Sequence, residues 1–136
     1  MEHGTHCPIA FGLNHFGDRW SLLIIRDLLF KGKRQYREFL EGGEGIATAV
    51  LADRLKKLEA RGIITATAGE GRGNPRFYAL TPRGKDLLPV MLEMILWSAK
   101  HDPGTEAPTS FVKKTRKAIA SQGREAYFAE LLKGLP

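Results

Sequence analysis

One cysteine, Cys7, stands in a chain of 136 residues, so no disulfide can close within it and the fold rests on packing alone. Long apolar runs are missing as well. The longest stretch nearly free of charge, Leu87 to Ala99, is 13 residues and is broken by Pro89 and Glu93, against the ~20 that a bilayer span needs. The first residues, Met1-Glu2-His3-Gly4, lack the basic start and apolar run of a secretory signal, and a cytoplasmic location is expected. There is no internal repeat and no low-complexity tract. The four serines lie outside any Gly-x-Ser-x-Gly elbow, and no nucleophile pairs with a base at a recognisable spacing, so the chain does not read as an enzyme.

What is present is an ordinary globular composition, 43% apolar and 26% charged, which argues against disorder and against a fibrous repeat. The length fits one compact domain with an appended arm. Charge is unevenly spread. Residues 31–85 carry 12 basic and 6 acidic side chains, which equals the whole excess of +6. A concentrated excess of this kind suits a polyanion-binding face, since each cation that meets a phosphate releases counterions. A solvated basic surface is the plainer alternative.

The order of elements narrows the choice. Pro8 opens a short helical stripe of Ile9, Ala10, Leu13 and Phe16. Asp18 is a good N-cap for a helix from Trp20 to Phe30, apolar all round and therefore central, with Gly32 to end it. A short segment, Gln35 to Leu40, precedes the turn Gly42-Gly43-Glu44-Gly45. A longer helix follows from about Ala47 to Arg61, with Val50, Leu51, Leu55 and Leu58 inward and Gly62 as its stop. Two helices joined by a tight glycine turn form a helix-turn-helix. The period then changes to strands at Ile63 to Thr67 and Arg76 to Leu80, a hairpin whose tip, Arg72-Gly73-Asn74-Pro75-Arg76, is basic. Thr81-Pro82 starts a long helix bearing Leu87, Leu88, Met91, Met94, Ile95 and Trp97, with a kink or restart expected at Pro89. After the linker Pro103-Gly104 to Pro108, residues 111–135 read as one or two amphipathic helices interrupted at Gly123. The expected division is 1–104 for the main domain and 105–136 for a helical extension. The fold class is mainly α with a small β-hairpin wing, a winged helix-turn-helix.

Several stretches resemble the HxlR family of bacterial transcription regulators, relatives of the MarR type. They are Cys7-Pro8-Ile9, Gly17-Asp18-Arg19-Trp20-Ser21-Leu22-Leu23, Gly45-Ile46, Leu51-Ala52-Asp53-Arg54-Leu55, Gly62-Ile63-Ile64 and Tyr78-Ala79-Leu80-Thr81-Pro82-Arg83-Gly84-Lys85. The likeness covers roughly residues 7–101. It implies a homodimer on double-stranded DNA, paired through terminal helices at both ends, here the faces Ile9 to Phe16 and Leu87 to Trp97. It also implies a repressor that answers a redox, electrophile or small-molecule signal. No cofactor is implied. A low-specificity nucleic-acid-binding or nucleoid protein is the rival reading.

In such proteins the first turn of the second helix enters the major groove, which places Ala47, Thr48, Ala49, Ala52 and Asp53 there. The set is thin: the family usually has Ser where Ala47 stands and a polar or basic residue near Ala49. Thr48, Ala49 or Ala52 can meet thymine methyls, and Asp53 can accept from cytosine N4. Arg54, Lys56 and Lys57 are suited to phosphates, although Arg54 can instead pair with Glu59 or Asp27. Arg34, Tyr36 and Arg37 are expected at the flanking backbone. Arg72 and Arg76 are either minor-groove side chains or a solvated turn.

Cys7 sits ahead of a helix, where a thiolate is favoured. Some relatives in the family sense oxidants or electrophiles through a cysteine in this Cys-Pro position, so the likeness implies a candidate switch, with a bond between two copies of Cys7 as one form. An inert, half-buried thiol is the alternative. His3, His6 and Cys7 are too few for a structural zinc site, and a metal-free tail is expected. Gly69-x-Gly71-x-Gly73 is followed by a strand rather than a helix, which excludes a dinucleotide fingerprint.

Overall fold

The structure, a computed structural model, describes residues 6–69 and 75–136. In chain order these form α1 (Pro8–Phe16), α2 (Arg19–Phe30), α3 (Tyr36–Leu40), α4 (Thr48–Ala60), β1 (Ile64–Ala68), β2 (Arg76–Leu80), α5 (Pro82–Lys85), α6 (Leu88–His101), α7 (Thr109–Gln122) and α8 (Arg124–Leu132). The chain divides into two compact units, Met1–Gly84 and Lys85–Pro136. No helix among the described residues is long and apolar enough to cross a membrane.

In the first unit α2 is the strut. Asp18 caps it, its carboxylate accepting from the Ser21 amide at 3.1 Å, so one of the orphan donors of the first turn is satisfied. Ile24, Ile25, Leu28 and Leu29 are buried, while Trp20, Leu22, Leu23 and Phe30 are only half-buried. The helix is thus central but not enclosed on every side. It packs against α4 and β2, and α4 packs in turn on β1 and α3. Leu51, Leu55 and Leu58 of α4 are all but inaccessible, and each such burial is worth ~2 kcal/mol. Val50, expected with them, is half-buried.

The two strands pair antiparallel, with Ile64 opposite Leu80 and Ala68 opposite Arg76. β1 begins one residue later than the sequence suggests, because Ile63 is used otherwise. Its amide donates to the Leu58 carbonyl at 2.9 Å, and its own carbonyl accepts from the Thr81 amide at 3.0 Å. Residues ahead of α3 add a third short edge: Gln35 bridges Phe77, and the Tyr78 amide donates to the Arg34 carbonyl at 2.7 Å. The wing tip, with Arg72, Gly71 and Gly73, lies outside the described residues.

Beyond β2 the long helix restarts near Pro89, as expected there, and is two elements. Thr81 caps the short α5, its hydroxyl accepting from the Gly84 amide at 3.0 Å. A new helix, α6, then starts at Leu88 with Pro89 in its first turn, where a missing amide costs nothing. In the second unit Leu88, Met91 and Leu92 are buried, which corrects the expected apolar face. The exposed stripe of α6 is Val90, Met94 and Trp97, and Trp97 is 67% exposed. Helices α7 and α8 pack together, divided at Gly123 as expected, with Thr115 Oγ1 and Tyr127 Oη 2.8 Å apart in a buried hydrogen bond.

Gly84 is a packing glycine. A Cβ there would collide with the Ile63 carbonyl oxygen, which is itself held by Thr81, and would press on Leu80 Cδ2. Gly84→Ala is expected to cost ~2 kcal/mol, the usual penalty of overpacking, read as a lower urea midpoint at unchanged slope.

Candidate nucleic-acid interface

The joint between α3 and α4 is built from glycine. Gly43 and Gly45 have φ of +91° and +77°, a region in which an L side chain is strained, so the chain can reverse tightly there. The α3 end is fixed by a capping box. The Glu38 carboxylate accepts from the Arg34 and Gln35 amides, both at 2.9 Å, and these bonds hold its pKa below the ordinary value. Tyr36 then reaches across and donates its hydroxyl to the Thr48 carbonyl at 3.0 Å. This bond ties the first helix to the opening turn of the second.

That opening turn faces outward. Ala47, Thr48, Ala49, Ala52 and Lys56 are exposed, while Leu51, Leu55 and Leu58 form the opposite, buried face. Ala47 is the N-cap residue and supplies no side-chain bond to the helix, as its methyl requires. The expected reading set is therefore accessible, and thin in polar groups.

Asp53 and Arg54 are tied up, which modifies their expected roles. Arg54 donates through Nε to Asp18 Oδ2 at 2.9 Å and through Nη1 to Asp53 Oδ2 at 2.7 Å. Its structural partners are thus Asp18 and Asp53, and the expected pairing with Glu59 or Asp27 is corrected. Asp27 is instead held by Arg26 at 2.7 Å and Lys33 at 3.4 Å, and Arg26 extends to Glu44 in the glycine turn at 2.8 Å. Lys57 reaches Asp53 at 3.1 Å, so the Asp53 carboxylate already has two cations. The Lys57 hydrogen bond, with Arg54 behind it, holds the Asp53 pKa below the ordinary carboxylate value. A cytosine amino group would have to compete with both.

The flanks carry cations of two kinds. Arg34 is half-buried, its guanidinium 5.6 Å from the centre of the Phe77 ring and its Nε 3.5 Å from the Tyr78 carbonyl, so it braces the wing while showing one edge. Arg37, Lys56 and Arg76 are exposed and hold no carboxylate at ion-pair distance among the described residues. Cys7 is exposed at the N-cap of α1 rather than half-buried. No group of three or more metal-ligating residues occurs among the described residues. The Asp18–Arg54 link and the Tyr36–Thr48 bond escape sequence reasoning. Residues 36 apart and a backbone carbonyl leave no periodic signal.

Comparison with known proteins agrees with this geometry. The profile of the HxlR-like helix-turn-helix family matches residues 15–105. An HTH-type transcriptional regulator, sll1512 of Synechocystis, is 36% identical over 94 residues, 69% of either chain. The HTH-type transcriptional regulator YodB of Bacillus subtilis is 35% identical over 104 residues, covering 74% of this chain and 90% of that one. Among solved structures, the redox regulator HypR in its oxidised form superposes with a TM-score of 0.64 at 28% identity, covering 70% of this chain and 97% of HypR. Reduced YodB gives 0.58 at 29%, covering 74% and 100%.

Asp18 offers a test of the link between α2 and α4. Burial pushes its pKa up, but the Ser21 and Arg54 bonds outweigh this and the net value lies below the ordinary one. A depressed carboxylate stabilises above its unfolded pKa of ~3.9, and that contribution is lost as pH falls through the folded value. Asp18→Asn keeps the cap and is expected to cost ~0.5 kcal/mol at neutral pH, since the pair is partly solvated. Asp18→Ala loses the cap too, ~1.5 kcal/mol in all. Urea titrations should show the Asn deficit shrinking as pH falls through the lowered folded value of Asp18; a deficit unchanged at acid pH would mean the charge is not the cause.

Proposed function

The chain belongs to the HxlR-like helix-turn-helix family of transcription regulators, and we propose that it acts in the cytoplasm as a homodimer that binds specific duplex sites and represses by occluding them. One observation carries the reading. The first turn of α4 is exposed, is locked to α3 through Tyr36, and is flanked by cations with no carboxylate partner among the described residues. Thr48, Ala49 and Ala52 enter the major groove, where methyl contact with thymine is their main resource. Asp53 accepts from a base only by sharing its oxygens with Arg54 and Lys57. Lys57, Arg37, Arg34 and Arg76 meet phosphates, with Arg72 as a further candidate, while Tyr36, whose hydroxyl proton goes to the Thr48 carbonyl, holds the turn that lies against the duplex backbone. Arg54 positions α4 through Asp18 and adds positive potential.

Pairing is supported by apolar surface that each unit leaves in water. Ile9, Phe11 and Leu13 of α1 are 56–71% exposed, and α6 shows Val90, Met94 and Trp97. Large apolar side chains left in water in each unit are what an association surface uses. A two-fold dimer would set two copies of α4 in successive major grooves, ~34 Å apart. Cys7 supplies the input in this reading. Its thiol is exposed at a helix N-terminus, next to one of the apolar faces, and the relatives HypR and YodB have structures in oxidised and reduced, or diamide-treated, forms.

A genomic fragment selected by the purified protein, competed against random duplex at physiological salt, tests the reading. A specific regulator prefers the selected fragment by ~10³ or more, whereas comparable affinity for both would favour the low-specificity alternative. Arg37→Gln with Arg76→Gln should weaken binding to both duplexes alike. Diamide is expected to shift affinity on the order of tenfold in the unaltered protein and not in Cys7→Ser; an equal response in both would remove Cys7 from the mechanism.

A further inference from the structure

The chain beyond residue 105 lies outside the family match, and its most charged element is α7. This helix carries Lys113, Lys114, Arg116 and Lys117 and has no acidic residue from Thr109 to Gln122. All four cations are exposed, while Thr115 in their midst is fully buried on its bond to Tyr127. That bond fixes the rotation of α7. With Thr115 inward and Phe111, Val112, Ala118 and Ile119 half-buried, the cations project from the remaining circumference. None has a carboxylate at ion-pair distance among the described residues, whereas Arg26, Lys33, Arg54 and Lys57 all do. Like charges at i,i+3 and i,i+4 spacing on one exposed face repel weakly and raise a local positive potential that attracts polyanions.

We propose that this face of α7 is a second surface for the phosphate backbone of duplex DNA, separate from the helix-turn-helix; the inference rests on the DNA-binding reading above. The four cations fall within about 6 Å of helix axis, a length over which a duplex carries three to four negative charges. Flexible ammonium and guanidinium groups on an exposed helix reach phosphates without reading bases, so the surface adds affinity and no sequence preference. A lipid surface fits less well. A helix that binds a bilayer buries its apolar face there, and the inward face of α7 is occupied by its packing with α8.

The test uses the full chain with K113Q, K114Q, R116Q and K117Q combined, folding being checked by circular dichroism. Affinity for the selected fragment and for random duplex is measured over a range of salt. Both affinities should fall on the order of 10- to 100-fold at physiological salt, in equal proportion. The slope of log K against log salt should become shallower by about 2 to 4 per chain, ~0.9 for each phosphate that is no longer neutralised. A variant with K113R, K114R and K117R should bind as the unaltered protein does. Unchanged affinity and slope in the glutamine variant would overturn the proposal, as would loss of binding to anionic vesicles alone, which would identify a membrane surface instead. The paired Arg37 and Arg76 substitutions separate the two readings. If they are silent while the α7 set is not, the helix-turn-helix assignment fails and this one stands. If the unaltered protein ignores duplex DNA altogether, both fall.

Discussion

The carboxylate of Asp18 is the point on which the arrangement of the first unit turns. Its Oδ2 caps the buried helix α2 through the Ser21 amide and also takes the guanidinium of Arg54 from α4. The energies decide how the labour divides. Leu51, Leu55 and Leu58 give several kcal/mol together and hold α4 in place, while a half-solvated ion pair gives well under one. Apolar packing is tolerant of small rotations, however, and a hydrogen-bonded charge pair is directional. Asp18 and Arg54 therefore set the angle at which the exposed turn of α4 is offered, and the leucines set how firmly.

A second polar joint works the same way one turn away. Arg26 spans from buried Asp27 to Glu44, fastening the glycine turn to α2, and the Glu44 hydrogen bond holds its guanidinium still more firmly protonated. With the Tyr36–Thr48 bond, the three links fix both ends of the turn and the start of α4. The base-reading role proposed for α4 needs this, because a misplacement of a fraction of an ångström harms base recognition more than phosphate binding.

Elements that depend on local rules are legible in the sequence. Asp18 as a cap, Pro89 as a helix start, and Gly32, Gly62 and Gly123 at helix ends are each dictated within a few residues by backbone sterics and orphan amides. The hairpin is legible because the period changes from helical to alternating, and β2 falls at Arg76 to Leu80 as that change predicts. What escapes the sequence is non-local. Spacing offers Arg54 Glu59 of its own helix or Asp27 of α2, yet its partners are Asp18, in the approach to α2, and its neighbour Asp53. The exposed stripe of α6 escapes because apolar spacing marks a face without saying whether water or protein covers it. Leu88 and Met91 are covered; Met94 and Trp97 are not.

The distribution of free charge then bears on how selectivity could arise. Within the first turns of α4, the Asp53 carboxylate is consumed by internal bonds and Thr48 is left as the one exposed hydroxyl. Asp53 has two cations, and Ala47, Ala49 and Ala52 have nothing to donate. Cations left over, at Arg37, Lys56 and Arg76 and along α7, suit phosphates, which carry no sequence. Under the proposed reading, such a surface would grip the duplex backbone and discriminate little at each half-site. Discrimination must then come from features that a single α4 cannot read: the spacing of two half-sites under a rigid pair, and the width and stiffness of the duplex between them. Apolar surface left exposed on α1 and α6 is what such a pair would use, so under the proposed reading the burden of specificity would fall on the geometry of association more than on the chemistry of α4.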